Sequence, residues 1–234
     1  MKNINDICFI IQARLSSERV PRKMIRPFAN TNLTDIAIKK ILKSSIIPAQ
    51  NFYLSVYEKE LIDVGLENKI NIFFRSEESA LWDGGNQAVL GRMYEWWNYL
   101  PYEYCVLISA CNPFLSVETI DSFVRSYIES DSEGMFAVIE KKNYFWNKSF
   151  EFITPWPEDE PCMNTKVVEK TYEGAHCLYA GRMDQIGKGI WMGDFNKPGD
   201  IELFPILEKE SLDVDYPWQF DLCEAYYNQM MDKK

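Results

Sequence analysis

The chain has a single histidine, and its six cysteines form no CxxC pair. A zinc site built from Cys and His needs three or four such ligands at close spacing, so none is expected. Long apolar runs are also missing. The longest, such as Met135–Ile139, fall far short of the roughly 20 apolar residues of a membrane-spanning helix. These absences argue against a Cys/His zinc protein and against an integral membrane protein.

Positive charge is scarce as well: 25 Lys and Arg face 35 Asp and Glu, for a formal net charge of -10. Proteins that bind duplex DNA or anionic lipid usually carry a basic excess, so neither nucleic acid nor a membrane is an expected partner. A small anionic ligand needs only a few placed cations. The N-terminal apolar run lacks a small-residue cleavage site, and the cysteines in apolar stretches are typical of free thiols. Both features predict a cytoplasmic protein.

Short apolar segments alternate with amphipathic ones along the chain. Strands are predicted at 7–12, 52–56, 70–74, 104–109 and 135–139, with helices at 33–44, 61–66, 88–99 and 117–129. Further strands are predicted at 174–179 and 211–214, and a closing helix at 218–231. The alternation predicts an α/β fold with a mostly parallel sheet, in which ligands bind beyond the carboxyl ends of the strands.

Residues 140–172 differ from this pattern, because they are rich in aromatic and charged residues and show no helical period. We interpret them as an extended arm whose exposed aromatic side chains form a partner surface. The alternative is an excursion that folds back over its own core. In either case 1–234 is predicted to be a single domain.

A basic segment follows the first strand and reads Gln-Ala-Arg-Leu-Ser-Ser-Glu-Arg-Val-Pro-Arg-Lys over residues 12–23. It contains neither a Walker A pattern nor GxGxxG. Small residues that expose backbone N–H groups, together with flexible cations, suit a polyphosphate. The alternative is a solvated basic turn, since charge runs usually face water. We refer to residues 12–23 as the basic loop.

Two carboxylates, Asp213 and Asp215, are spaced two residues apart in the predicted strand at 211–214. That spacing would place both on one face, as an oxygen-rich site for Mg²⁺. The alternative is a polar strand end in an acidic protein. His176, the one histidine, is more often a packing residue than a catalyst, although it could contact a substrate.

The pattern AR-x-x-S-x-R-x-P-x-K in the basic loop resembles the signature of cytidylyltransferases that activate acidic sugars. These are the CMP-sialic acid synthetases, the KDO cytidylyltransferases and the spore-coat polysaccharide cytidylyltransferase-like proteins. Segments 88–94, 107–114, 174–179 and 211–220 resemble further family segments in the same order. The resemblance runs from about residue 7 to 226 and implies a three-layer, Rossmann-like nucleotidyltransferase fold.

The resemblance implies an enzyme that uses CTP and Mg²⁺ to convert an acidic sugar into its CMP-activated form for surface glycan synthesis, with release of pyrophosphate. It implies a homodimer formed through an arm at 140–172. The catalytic residues would be Arg14, Lys23, Asp213 and Asp215, the last two binding the metal. The implied nucleotide-binding residues are Ala13, Arg14, Ser17, Arg19, Lys23, Arg75, Asp83, Asn86 and Ser109. Those implied for the acceptor are Asn112, Lys170 and His176.

The sequence departs from the family mainly in its acceptor half. After the second strand it reads Ser55-Val56-Tyr57, where sialate enzymes usually have an acidic residue, and segment 109–115 lacks the family's glutamine and arginine. The acceptor is therefore left open: an eight- or nine-carbon ulosonic acid, a phosphonate or a sugar phosphate all fit. Another nucleoside triphosphate, or a non-catalytic nucleotide-binding scaffold, are the remaining alternatives.

Overall fold

A seven-stranded mixed sheet forms the centre of the computed structural model, which describes residues 1–81 and 87–232. The strand order within these residues is β3-β2-β1-β4-β6-β5-β7. The strands are β1 (Ile7–Gln12), β2 (Phe52–Val56), β3 (Asn71–Phe74), β4 (Tyr104–Ile108), β5 (Gly134–Lys141), β6 (Thr171–Arg182) and β7 (Ile201–Ile206).

The α-helices pack on both faces of this sheet. They are α1 (Leu33–Leu42), α2 (Lys59–Glu67), α3 (Glu77–Leu81), α4 (Gln87–Met93), α5 (Val117–Glu129), α6 (Met183–Gly187) and α7 (Pro217–Met231). The two faces carry separate cores, because side chains alternate along each strand. In β1, Phe9 packs in the core under α1, α2 and α5, whereas Ile10 packs with Trp96 and α6. This is the predicted three-layer arrangement.

Strand β6 is the exception to the parallel sheet, since it runs antiparallel to both of its neighbours, β4 and β5. The pairs β1–β2, β2–β3, β1–β4 and β5–β7 are parallel. Because β5 points the same way as β4, residues 142–170 leave β5 and return to β6 at the carboxyl edge of the sheet. The predicted arm therefore begins and ends at the edge where ligands are expected.

Most predicted elements are confirmed, and β1, β2 and α5 have the predicted bounds. The strand predicted at 211–214 is wrong: a 3₁₀ turn, Glu208–Ser211, is followed by irregular chain. The sheet instead ends at β7, whose Pro205 is tolerated because the strand lies at an edge. The helix predicted at 88–99 ends at Met93, and a 3₁₀ turn, Glu95–Asn98, continues it.

All six cysteines lie in the described ranges and are free thiols. Four are buried, Cys111 is half-buried and Cys162 is exposed, so the expectation of buried free thiols holds for most of them. No helix within residues 1–81 and 87–232 combines the length and apolar character needed to cross a membrane.

Candidate active site

Lys23, at the end of the basic loop, is buried against the segment that carries the two aspartates. Only 8% of the residue is exposed. Its Nζ donates to the backbone oxygen of Val214 at 2.7 Å and to Asp215 Oδ1 at 3.0 Å. A cation predicted to bind phosphate and a carboxylate predicted to bind metal are therefore in direct contact.

Arg19 approaches the same carboxylate from solvent. Its Nη2 lies 2.9 Å from Asp215 Oδ2, and its guanidinium stacks over the ring of Tyr216 at 4.9 Å. Asp215 thus bridges two cations of the basic loop. The pairing holds Arg19 at the edge of the site, although an exposed ion pair contributes little stability by itself.

The segment that carries Asp213 and Asp215 is held by the rest of the fold rather than by a strand ladder. Val214, between them, is fully buried in a cluster with Val20 of the basic loop and Phe220 of α7. Both aspartates are half-buried, and Asp213 Oδ1 is itself buried. The strand expected to place both carboxylates on one face is absent, so a shared face stays a prediction.

Backbone contacts fix this segment at both ends. The Val214 N–H donates to the Cys111 oxygen at 3.0 Å, and Asn112 Nδ2 donates to the Ser211 oxygen at 3.0 Å. At the start of α7, Gln219 Oε1 accepts the N–H groups of Asp215 and Tyr216, both at 2.8 Å. Gln219 was not predicted as a site residue, and only its place four positions after Asp215 could have indicated it.

The charges of the site perturb one another. Burial and the neighbouring Asp215 raise the pKa of Asp213, against the opposing effects of Lys23, His176 and Arg19. Burial disfavours the ammonium of Lys23, but Cys111, Asp215 and Asp213 outweigh it and raise the pKa of Lys23. Lys23 is therefore charged at neutral pH. The charged form of Asp213, by contrast, is disfavoured by its burial and by Asp215.

The donor set fits a magnesium ion that arrives with a nucleotide. Within the described ranges, no group of three or more His, Cys, Asp or Glu side chains could hold a metal. Asp213 Oδ1 is nevertheless buried without a hydrogen-bond partner. Mg²⁺ is commonly bound by one or two carboxylates together with substrate phosphates, and two carboxylates are what this edge supplies.

Arg75, predicted to bind the nucleotide, is buried and engaged by the protein. Its guanidinium donates to the hydroxyl and backbone oxygens of Ser79 at 3.1 and 2.5 Å, and to the Met93 oxygen at 3.4 Å. Burial and, to a smaller extent, nearby Arg14 lower the pKa of Arg75 to about 10, against the opposing effects of Glu95 and Glu58. Arg75 thus joins α3 to the end of α4 beneath the nucleotide half of the site.

Glu58, at the start of α2, contacts the backbone of the basic loop. Its Oε1 accepts the N–H of Leu15 at 2.6 Å, and its Oε2 is buried without a hydrogen-bond partner. Glu58 directly follows Tyr57, the position where sialate enzymes were expected to have an acidic residue. It was not predicted as a site residue.

Other predicted nucleotide residues line the start of the site. The N–H of Ala13 is already bonded to the Ser55 oxygen at 3.1 Å, so this amide is not open to phosphate. Ser17 is half-buried in the loop, as is Arg14. Ser109 Oγ accepts the N–H of Cys111 at 3.1 Å. Two further predicted residues, Asp83 and Asn86, lie outside the described residues.

The predicted acceptor residues differ in their placement. Asn112 is 1% exposed and supports Ser211 from behind, so the prediction that it contacts an acceptor is corrected to a supporting role. Lys170 is paired with Glu140 at 2.8 Å at the outer end of the β5–β6 hairpin. His176 Nδ1 lies 2.7 Å from Tyr179 Oη, and its charge acts on Asp213.

With this geometry in view, the comparison with known families is decisive. Residues 8–155 match the sequence model of a family described as cytidylyltransferase. The chain belongs to the cytidylyltransferase family. The matched range covers the basic loop, β1 to β5 and the first part of the arm, and it confirms the resemblance inferred from the motifs.

One curated relative is the spore coat polysaccharide biosynthesis protein SpsF of Bacillus subtilis (strain 168), 27% identical over 132 residues. The match covers 56% of this chain and 53% of that protein, so the chain spans about half the length of the curated relative that it matches.

Solved structures confirm the fold of this cytidylyltransferase. CMP:2-keto-3-deoxy-manno-octonic acid synthetase complexed with CTP superposes with a TM-score of 0.68 over 96% of this chain and 99% of its own, at 11% identity. A 4-diphosphocytidyl-2C-methyl-D-erythritol synthase of Anaerococcus prevotii DSM 20548 gives 0.64 over 95% and 96%, at 12% identity. A cytidylyltransferase of Leptospira borgpetersenii gives 0.59 over 94% and 85%, at 13% identity.

Proposed function

We propose that the protein transfers CMP from CTP to an acidic sugar of the ulosonic acid type, with Mg²⁺, and releases pyrophosphate. The observation that carries this proposal is the contact of Arg19 and Lys23 with Asp215, next to the unpartnered carboxylate oxygen of Asp213. Anion-binding and cation-binding groups side by side suit a magnesium nucleoside triphosphate. The CTP-bound relative of the same fold supports the choice of CTP.

The reaction is a substitution at phosphorus. A hydroxyl oxygen of the acceptor forms a bond to the α-phosphorus and releases its proton. The bond from that phosphorus to the oxygen bridging to the β-phosphate breaks, and pyrophosphate leaves with the electron pair. Such transfers depend mainly on positioning and on neutralising charge. Lys23 and Arg19 would neutralise the triphosphate and the leaving pyrophosphate, with Arg14 and Ser17 beside them.

Asp213 and Asp215 would hold the magnesium ion, which when bound stabilises negative charge on the phosphate oxygens. Asp215 can do so only by exchanging partners, because both of its oxygens are paired with cations in the ligand-free chain. The same exchange would release Lys23 and Arg19 to the phosphates. Opposite charges that pair in the free protein would thus each take a partner from the bound nucleotide.

The acceptor would bind on the β6 side of the carboxylates. His176 and Tyr179 form a hydrogen-bonded pair there, and His176 acts on Asp213 through its charge. A hydroxyl-rich acid suits a pair that can both donate and accept hydrogen bonds. The Bacillus subtilis relative is a spore coat polysaccharide biosynthesis protein, which supports a role in surface glycan synthesis. Free cysteines fit the reducing cytoplasm as its location.

A homodimer formed through residues 140–172 is part of this proposal. The arm packs aromatic rings against one another around Tyr144, yet leaves large apolar side chains exposed, including Phe150 at 87%. An exposed apolar patch of this kind is typical of an interaction surface. Sedimentation velocity should give a dimer, and Phe150→Ser with Ile153→Ser should shift it to monomer. A wild-type monomer with full turnover contradicts the dimer.

The test of function is pyrophosphate release with Mg²⁺ and each of the four nucleoside triphosphates. The acceptor panel contains a sialic acid, legionaminic- and pseudaminic-type acids, KDO, phosphonates and sugar phosphates. We expect release with CTP and one acid. Lys23→Met and Asp213→Asn should lower turnover by at least about 100-fold, whereas Lys59→Met, on an exposed helix, should leave it unchanged.

The other outcomes separate the alternatives. Release with a different nucleotide or with a phosphonate keeps the chemistry and changes the substrate. Silence across the panel, with CTP still raising the melting temperature, indicates a nucleotide site whose acceptor was absent from the panel. Silence without a thermal shift from any nucleotide rejects the enzyme and favours a scaffold.

A further inference from the structure

Lys40 is a lysine on α1 that belongs to none of the motifs and donates into the site from behind. Its Nζ donates to the backbone oxygens of Asn112 and Pro113, at 3.0 and 2.7 Å. The side chain lies in a groove of about 580 Å³ between α1, the start of α5 and α7. Two carbonyls that follow one another in a turn are thus tied to the last turn of α1 by one side chain.

The turn that Lys40 holds is the same turn that holds the carboxylate segment. Cys111 accepts the N–H of Val214, and Asn112 donates to the oxygen of Ser211. These two bonds flank Asp213. Displacing residues 111–113 would therefore displace Asp213. Its Oδ1 has no hydrogen-bond partner that would hold the carboxylate in place.

Glu210 provides a second link between Lys40 and the carboxylate segment. Glu210 is buried, directly precedes Ser211, and accepts a hydrogen bond from Thr119 Oγ1 at 2.5 Å. Burial lowers the pKa of Lys40 to about 7, against the favourable charges of Glu210 and Cys177. A buried amine that is costly to protonate contributes little to stability as a charge, so what it adds here is the placement of the turn.

We infer that Lys40 is a positioning residue for the proposed CMP transfer, which holds residues 111–113 so that Asp213 and Asp215 can bind the metal. The inference rests on the proposed function. Through Lys40, helix α1 would set the geometry of the two carboxylates, although α1 lies outside the loops at the carboxyl edge of the sheet.

The test compares Lys40→Met with Lys39→Met. Lys39 is the matched control, because it neighbours Lys40 on the same helix but pairs with Asp35 at the surface. The first measurement is binding of Mn²⁺ in the presence of CTP, followed by electron paramagnetic resonance without acceptor. The second is the Mg²⁺ concentration that gives half-maximal turnover.

Lys40→Met should weaken Mn²⁺ binding and raise the half-maximal Mg²⁺ concentration by about 10- to 100-fold, the usual effect of losing a group that orients metal ligands. The KM for CTP at saturating Mg²⁺ should stay within about twofold. Lys40→Arg, which can still donate to both carbonyls, should recover most of the loss. Lys39→Met should match the wild type.

Asn112→Ala guards against a Lys40 variant that does not fold. It removes the next link, the bond to Ser211, and should weaken Mn²⁺ binding similarly. A folded Lys40→Met that binds Mn²⁺ like Lys39→Met overturns the inference, as does an Asn112→Ala protein with wild-type Mn²⁺ binding. A wild type that shows neither turnover nor binding of CTP overturns the proposed function instead, and this inference with it.

Discussion

Lys23 Nζ lies 3.0 Å from Asp215 Oδ1, so the basic loop after β1 and the acidic segment before α7 are joined by an ion pair across 192 residues of chain. Arg19 takes the other oxygen of the same carboxylate. The ligand-free site is therefore neutralised from within. A magnesium nucleotide would give each of these groups a new partner of opposite charge, which is why the pair can be both a structural contact and a binding site.

Removing the charge of Asp215 should lower the stability of the fold, whereas removing the charge of Asp213 should not. Asp215→Asn leaves Lys23 and Arg19 without their carboxylate, and we expect it to lower the free energy of unfolding by about 1–2 kcal/mol. Asp213→Asn removes a group whose charged form burial and Asp215 disfavour, so stability should be unchanged or higher. Urea unfolding at pH 7 measures both.

Measuring turnover distinguishes a loss of the proposed metal-binding role from a loss of folding. Both variants should lose activity by at least about 100-fold, although only one loses stability. A destabilised Asp213→Asn would show that its carboxylate is stabilised by contacts in the ligand-free protein.

Arg75 should contribute to the stability of the fold through its buried hydrogen bonds. Arg75→Met removes the side-chain donor to the buried Ser79 backbone oxygen and one of three donors to the Met93 oxygen, which should cost about 1–3 kcal/mol in the free energy of unfolding. Arg92→Met is the matched control, since Arg92 pairs with Glu78 at the surface and should cost nothing measurable. Equal unfolding curves for the two variants would contradict the supporting role of Arg75.

His176 should affect the acceptor and not the nucleotide. Its backbone has φ of 51°, a left-handed conformation that asparagine tolerates, so His176→Asn removes the imidazole with little strain. We expect the KM for the acceptor to rise by about 10-fold and the KM for CTP to stay constant. Steady-state kinetics in both substrates decide this. An unchanged acceptor KM would remove His176 from the acceptor site.

Lys40 should leave a signature in the pH dependence of stability. Its pKa is about 7 in the folded chain against an ordinary 10.5. Between these values the unfolded chain binds the proton and the folded chain does not, so the free energy of unfolding rises with pH across this window. Below about pH 7 the cost of the buried charge is fully present.

The measurement is the difference in unfolding free energy between wild type and Lys40→Met at pH 6.5 and 9.5. The wild type should gain on the variant as pH rises, since other titrating groups cancel in the difference. A constant difference would show that Lys40 keeps its ordinary pKa.

Periodicity predicted most of the fold because buried strands and amphipathic helices each have a recognisable hydrophobic pattern in the local sequence. It failed where tertiary context overrides local preference. The 211–214 segment is apolar and polar in alternation like a strand, yet Val214 is buried by Val20 and Phe220 rather than by a sheet. Edge strand β7 was missed because Pro205 is a strand breaker everywhere except at an edge.

The sequence by itself determined the family, because the motifs that carry it depend on residue types at fixed local spacing. It also led to the proposals for the basic loop and the two aspartates. Tertiary structure alone decided that Asp215 pairs with Lys23 and Arg19, that Glu58 holds the backbone of the basic loop, and that Arg75 and Asn112 are buried in supporting contacts. Which side chains meet across the fold depends on the antiparallel course of β6 and on the path from Ser211 to α7. No local pattern specifies these features, because they result from packing between distant segments.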